Sequence, residues 1–311
     1  MIIINVEKLK SIPLKKPNLP VKVTEMGNII EVQYMSRRNL KQTIQMLPGG
    51  QEFVVCATGE LKQVEHHDTR QDNKKGLYKT FAHARALINT NVTDVSKVRW
   101  CTLTYKENMT DTKKLYKDFK TFNMRFQYYC SKNGYSKPEY IVMMEPQGRG
   151  AWHAHLLYIW QDMVAPYIPN DVFSNLWRHG FVKIKKLENV DNVGAYLTAY
   201  LGDMEVTDVD LDKMKYARCK VVEVEENGKT VKKAIIKGAR LNLYPSNFNM
   251  IRCSRGIKKP TVKMMSQPDA NKKVLGAAKT FESAIQLTDN ENDFTSVIIK
   301  EYYNRIRSDV Q

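Results

Sequence analysis

Two short apolar runs joined by a glycine-containing turn constrain the fold of this chain most strongly. The runs are EYIVMMEP at 139–146 and AWHAHLLYIW at 151–160, and Gln147-Gly148-Arg149-Gly150 lies between them. Short apolar runs that glycine separates are typical of β-strands, and a brief connection favours an antiparallel pair. The pattern therefore predicts a β-hairpin near the middle of the chain.

Strands and helices alternate around this hairpin. VRWCTLTY at 98–105 is typical of a buried strand, and 111–130 repeats large apolar residues at helical spacing behind a capping Asp111. Downstream, the pattern predicts a helix at 170–180 that ends at Gly180, a strand at 181–187 and a helix from about Asp191 to Asp203. The predicted order, β-α-β-β-α-β-α, contains more strands than a sheet built from parallel β-α-β crossovers would need for the same helices. We therefore predict an α+β domain whose mainly antiparallel sheet is flanked by helices.

The flanking regions carry weaker patterns. Before the alternating segment we expect short strands at 21–34 and 52–66 and a helix at 79–92. After it we expect a hairpin at 219–238, with Asn227-Gly228 as its turn, and an amphipathic helix at 292–307. We therefore predict three regions, an N-terminal extension at 1–95, a core at 96–205 and a basic C-terminal region at 206–311.

Net charge indicates the class of partner. The chain has 49 Lys and Arg against 33 Asp and Glu, a formal charge of +16. Such an excess attracts polyanions because it releases their condensed counterions. Nucleic acid is the first partner to consider, and a merely basic soluble protein is the alternative.

Cysteine and hydropathy patterns indicate the compartment. The five cysteines are scattered and include no CxxC pair, which argues against a zinc or redox motif and fits reduced thiols. No run approaches the ~20 apolar residues that a bilayer requires. The first apolar stretch is also shorter than the core of a secretion signal. We expect a cytoplasmic protein without a membrane partner.

The segment EPQGRGAWHAHLL contains candidate metal ligands. Side chains alternate along a strand, so His153 and His155 share one face, and the hairpin returns Glu145 opposite His153. Two imidazoles and one carboxylate leave positions open for water and a phosphate oxygen, as a Lewis-acid catalyst needs. The hard carboxylate favours Mg²⁺ or Mn²⁺ over a closed zinc site. For the histidine pair alone, two structural or surface histidines are the alternative.

The segment VGAYLTAYLGD contains candidate nucleophiles. Tyr196 and Tyr200 are four residues apart, so on a helix they share one face, beside an apolar stripe of Val193, Leu197 and Leu201. A phenol with a pKa of about 10 is a weak nucleophile at neutral pH and needs an electrophile that a metal polarises. The alternative is two core or interface tyrosines in a chain with 16 of them.

Three segments in this order, CTLTY at 101–105, EPQGRGAWHAHLL at 145–157 and AYLTAYLGD at 195–203, resemble the motifs of HUH endonucleases. More closely, they resemble rolling-circle replication-associated proteins of Gram-positive plasmids, integrative elements and phages. The resemblance implies an HUH-type sheet and nicking of single-stranded or hairpin origin DNA by tyrosine attack. It implies a 5′-phosphotyrosine and a 3′-OH for the polymerase, with Tyr200 cutting first, since single-tyrosine relatives keep that position, and Tyr196 cutting second.

Two departures qualify the resemblance. Relatives with paired tyrosines often carry a lysine three residues after each one, whereas Ala199 and Asp203 occupy those places here. We regard Lys183 or Lys185 as candidates to hold the scissile phosphate instead. Some relatives also carry a helicase domain, but the chain lacks a Walker loop, because Glu223 stands where its first glycine belongs. We therefore expect no ATPase and a host helicase as partner.

Other functions remain open at this level. The same motifs serve conjugative relaxases and single-strand transposases, which differ in their DNA substrate. A DNA-binding protein that has lost nicking is a further alternative, although the complete set of Glu145, His153, His155, Tyr196 and Tyr200 argues against it. A metal-dependent phosphohydrolase of small molecules would need neither paired tyrosines nor the positive charge. Regions 1–95 and 206–311 are candidates for origin recognition.

Overall fold

The structure is a computed structural model of the 311-residue chain. It describes residues 4–38, 42–64, 74–147, 150–198, 204–206, 219–226, 229–236, 240–245, 248–289 and 294–307. The strands are β1 (Ile4–Lys8), β2 (Val21–Met26), β3 (Ile29–Met35), β4 (Ile44–Met46), β5 (Glu52–Val55), β6 (Leu61–Gln63), β7 (Val98–Thr104), β8 (Glu139–Pro146), β9 (Trp152–Ile159), β10 (Val182–Lys185), β11 (Met204–Val206), β12 (Cys219–Glu226), β13 (Lys229–Ile236), β14 (Ile251–Cys253), β15 (Thr261–Met265), β16 (Ala278–Asp289) and β17 (Phe294–Asn304). The α-helices are α1 (Lys74–Asn91), α2 (Thr112–Lys132), α3 (Asn170–Trp177), α4 (Val193–Thr198) and α5 (Gln267–Val274).

The chain divides into two compact units. One combines Met1–His67 with Pro260–Gln311, and the other is Asp68–Lys259. The first unit joins both ends of the chain because β1 pairs with β16 and β3 pairs with β17. The division therefore differs from the three consecutive regions of the sequence-based prediction, and α1 lies in the same unit as the segment at 96–205.

The first unit contains an antiparallel sheet in the order β1-β16-β17-β3-β2-β15. Its core gathers apolar side chains from β2, β3, β16 and β17 together with α5, including Val21, Ile30, Tyr34, Ala270 and Ile299. The strands predicted at 21–34 and 52–66 are confirmed as β2 and β3 and as β5 and β6.

The helix predicted at 292–307 is wrong, because β17 occupies 294–304. Thr295, Val297, Ile298 and Ile299 are β-branched, which disfavours a helix and favours a strand. Strand β17 also lies between β16 and β3, so its backbone hydrogen bonds are made on both edges. These partners are distant in sequence, and the amphipathic spacing alone did not reveal them.

The second unit is built on an antiparallel sheet in the order β10-β7-β9-β8-β14. Helices α2 and α3 cover one face, where Leu115, Phe122 and Phe173 pack on the side chains of Leu103 and Ala154. Helices α1 and α4 belong to the core of the opposite face, which joins Ile88, Val193 and Leu197 to Ile141 and Leu157. The predicted order β-α-β-β-α-β-α and the α+β class are confirmed.

The caps show how local residues set the helix ends. Asp111 caps α2, since its side chain accepts hydrogen bonds from the backbone N–H groups of Lys113 and Lys114. The predicted stop of α3 at Gly180 is wrong, because Arg178 ends the helix in the left-handed conformation. Gly180 is needed for another reason. It has a φ of 150°, and a Cβ there would lie 2.5 Å from the carbonyl oxygen of Thr104.

The strands predicted at 219–238 form the pair β12 and β13, with Glu226 opposite Lys229. The predicted turn residues, Asn227 and Gly228, lie outside the described residues. Strand β11 pairs with the other edge of β13.

Candidate active site

The hairpin of β8 and β9 assembles the three predicted metal ligands. Its register places Glu145 opposite His153, as predicted, and strand alternation puts His155 on the same face. The Nε2 atoms of His153 and His155 lie 3.2 Å and 3.4 Å from Oε2 of Glu145. One ligand atom from each of the three residues lies within 4.8 Å of the other two. We call this cluster the triad.

Burial and charge set the protonation of the triad. Glu145 is 2% exposed and His153 9%. Burial would raise the pKa of Glu145, but hydrogen bonds from His153 and His155, together with the charge of Arg240, hold that pKa well below its usual range. Burial also lowers the pKa of His153, despite its contact with Glu145. An ionised carboxylate beside a neutral imidazole is the state that binds a cation.

Residues of β7 orient His155. The hydroxyl oxygen of Thr102 lies 3.3 Å from Nδ1 of His155, which leaves Nε2 directed at Glu145. Trp100 stacks on the same imidazole, with ring centroids 5.1 Å apart and planes 6° from parallel. Such partners fix the ring orientation and basicity of a metal-ligating histidine. The donor set and its support therefore fit a divalent cation.

Helix α4 lies on the same face of the sheet as the triad. Val193 and Leu197 are buried in the core with Ile141 and Leu157, which confirms the docking predicted for these two residues. Tyr196 is not part of that core, and its side chain is 48% exposed. Tyr200, Ala199, Leu201 and Asp203 lie outside the described residues.

The candidate lysines lie on the edge strand β10. Lys183 pairs with Thr102 and Lys185 with Trp100. Residues that face each other in an antiparallel pair project from the same side of the sheet. Both lysines therefore share the triad's face, where they are exposed beside the residues that orient His155.

The segment that carries the site matches the model of a known family. Residues 98–205 match the model of a family described as replication-associated protein ORF2. This segment is about a third of the chain and contains the triad, Tyr196 and both lysines. The match supports a role in the initiation of replication and hence DNA as a partner. No curated protein matches the chain.

In the described part of the chain, no helix is long and apolar enough to span a membrane.

Helix α1 lies outside the matched segment, and the sequence-based prediction did not connect it with the site. The backbone N–H of Gly194 donates to Oδ1 of Asn89 over 2.7 Å, and Nε of Arg85 donates to Oγ1 of Thr198 over 3.3 Å. A Cβ on Gly194 would lie 2.5 Å from the carbonyl oxygen of Arg85. Only glycine permits this approach, so α1 sets the position of α4.

Arg240 is a second residue that sequence patterns did not reveal. Its Nη2 atom lies 3.1 Å from Oε1 of Glu145, although the two residues are far apart in sequence. Neither its spacing nor a local motif ties it to the triad.

Proposed function

We propose that this chain is an HUH-type nickase that starts and ends rolling-circle replication of a small replicon. One observation carries the proposal: the triad and helix α4, which bears the exposed Tyr196, lie on the same face of one sheet. A nicking enzyme needs a cation site and a nucleophile that approach one phosphate from a shared surface. The family match over 98–205 agrees with the replication role.

In this proposal Glu145, His153 and His155 hold Mg²⁺ or Mn²⁺. The carboxylate is ionised and hard, which favours these cations, and the imidazoles supply two further donor atoms. When bound, the cation would act as a Lewis acid toward the scissile phosphate. Thr102 and Trp100 keep the His155 ring in its ligating orientation.

Tyrosine is the proposed nucleophile, with Tyr200 making the first cut and Tyr196 the second. The phenolic oxygen attacks phosphorus, the bond from phosphorus to the 3′ oxygen breaks, and the 3′ oxygen takes the proton that the phenol loses. The products are a 5′-phosphotyrosine and a free 3′-OH, which the host polymerase extends. In the closing step a 3′-OH attacks the phosphotyrosine and regenerates the phenol. The order of the tyrosines rests on the resemblance to single-tyrosine relatives.

The DNA is proposed to be single-stranded or in an origin hairpin, and to cross the face that carries the triad. Lys183 and Lys185 stand exposed on that face and provide two cations beside Thr102 and Trp100. The net charge of +16 adds a general attraction for the backbone. A host helicase would supply the unwinding.

Covalent capture tests the proposal. The protein is incubated with labelled single-stranded oligonucleotides that tile the DNA flanking its gene, with Mn²⁺ or with excess EDTA. We expect one oligonucleotide to be cut and joined to the protein only when Mn²⁺ is present, and peptide mapping to find the phosphate on Tyr200. Full cleavage in EDTA would refute the metal role, and an adduct on neither tyrosine would refute the HUH chemistry.

A further inference from the structure

In the contacts described for Glu145, its two carboxylate oxygens face different kinds of partner. Its Oε2 atom faces the Nε2 atoms of His153 and His155, at 3.2 Å and 3.4 Å. Its other oxygen, Oε1, lies 3.1 Å from Nη2 of Arg240. One oxygen is thus directed at the ligand nitrogens, and the other is held by a guanidinium.

Because the contact between Arg240 and Glu145 is buried, it restrains the orientation of the carboxylate. The side chain of Glu145 is 3% exposed and that of Arg240 17%, so water screens the pair little. The terminal torsion of a glutamate is broad, and an unrestrained carboxylate turns either oxygen toward a cation. A guanidinium on Oε1 removes that freedom and leaves Oε2 as the donor atom.

The residues that follow Arg240 pack on the hairpin that bears the triad. Tyr244, four residues later, is buried against Trp152, with ring centroids 5.8 Å apart. Trp152 immediately precedes His153, and it also stacks on Phe248 at 4.5 Å. Strand β14 then pairs with β8, the strand of Glu145. The segment after 240 is therefore anchored to both strands of the hairpin.

We propose that Arg240 is a positioning residue that presents Glu145 to the metal through Oε2 alone. The inference rests on the proposed metal site and adds to it a residue from outside the segment at 98–205. A competing role has the opposite sign. If Arg240 acted only as a nearby positive charge, it would repel the metal, and its removal would tighten metal binding.

The test measures Mn²⁺ affinity by isothermal titration calorimetry in the full-length chain without DNA. Arg240→Gln removes the charge and the planar guanidinium group. We expect Mn²⁺ to bind about 10- to 100-fold more weakly, as when other residues that hydrogen-bond a metal ligand are lost. Arg240→Lys keeps the charge but not the planar fork, so we expect a smaller loss. Arg252→Gln is the matched control, because that guanidinium stacks on Tyr116 at 3.5 Å instead of contacting the triad.

Circular dichroism and single-stranded DNA binding in EDTA verify that the variants are folded, and both should match the unmodified protein. Unchanged or tighter Mn²⁺ binding by folded Arg240→Gln overturns the positioning role. If that variant does not fold, Arg240→Lys decides, and an affinity equal to that of the unmodified protein overturns the role. Absence of Mn²⁺ binding by the unmodified protein refutes the metal site itself, whereas binding that ignores Arg240 refutes only this inference.

Discussion

Replacing Gly194 with alanine should displace helix α4, which bears Tyr196, without disturbing the triad. The new Cβ would lie 2.5 Å from the carbonyl oxygen of Arg85 and 2.6 Å from Oδ1 of Asn89. Ordinary contacts begin near 3.4 Å. The first obstacle is backbone, which a rotamer change cannot move, so α4 must retreat from α1 by about 1 Å.

Stability and activity should respond differently. Overpacking costs about 1–3 kcal/mol, and alanine returns about 1 kcal/mol of helix propensity, so the free energy of unfolding should fall by about 1 kcal/mol. A displacement of about 1 Å at a reacting group is worth roughly 100-fold in rate. We therefore expect nicking to fall about 100-fold while Mn²⁺ affinity stays unchanged.

The assay combines single-turnover nicking, Mn²⁺ titration and urea unfolding. Gly134→Ala is the matched control, because Gly134 has a φ of 72° with no atom within 4 Å of the new Cβ. It should also cost about 1 kcal/mol, through backbone strain, yet leave nicking intact. Unimpaired nicking by Gly194→Ala, or an equal loss of nicking in both variants, would refute the positioning of α4 by α1.

Three further predictions concern the triad, the two tyrosines and the two lysines of β10. His153→Ala should abolish nicking and Mn²⁺ binding while the fold and single-stranded DNA binding persist; residual nicking that EDTA does not inhibit would contradict this. Each Tyr→Phe change removes one oxygen, so Tyr200→Phe should eliminate the first-turnover adduct, whereas Tyr196→Phe should only impair release of the closed circle. An adduct mapped solely to Tyr196 would reverse the proposed order of the two cuts. The double change Lys183→Ala with Lys185→Ala should reduce the slope of log affinity against log salt by about 1.4, because each phosphate contact on single strands contributes about 0.7. An unchanged slope in filter binding would exclude both lysines from the DNA contact.

Local patterns in the sequence were sufficient for the hairpin and its triad. A glycine-containing turn between two apolar runs determines which residues face each other, and the two-residue alternation of a strand then places His153 and His155 together. Helix α2 was equally accessible, since its cap and its apolar stripe lie within one continuous segment. In both cases the interactions that define the structure lie close together in the chain.

Tertiary pairing decided the features that local patterns missed or misjudged. The segment at 294–304 has apolar residues that suit either period, and its pairing with β16 and β3 makes it a strand. The same applies to α1, which reaches α4 through one glycine at position 194.

Arg240 shows most clearly what local sequence patterns cannot predict, because its partner Glu145 lies on a strand that is distant in sequence. An arginine in a basic region carries no spacing signal that assigns it to a carboxylate. The sequence by itself thus determined the triad and the strands that present it. The folded chain decided which distant groups hold the triad and helix α4 in place, because such contacts depend on packing between segments that no local period connects.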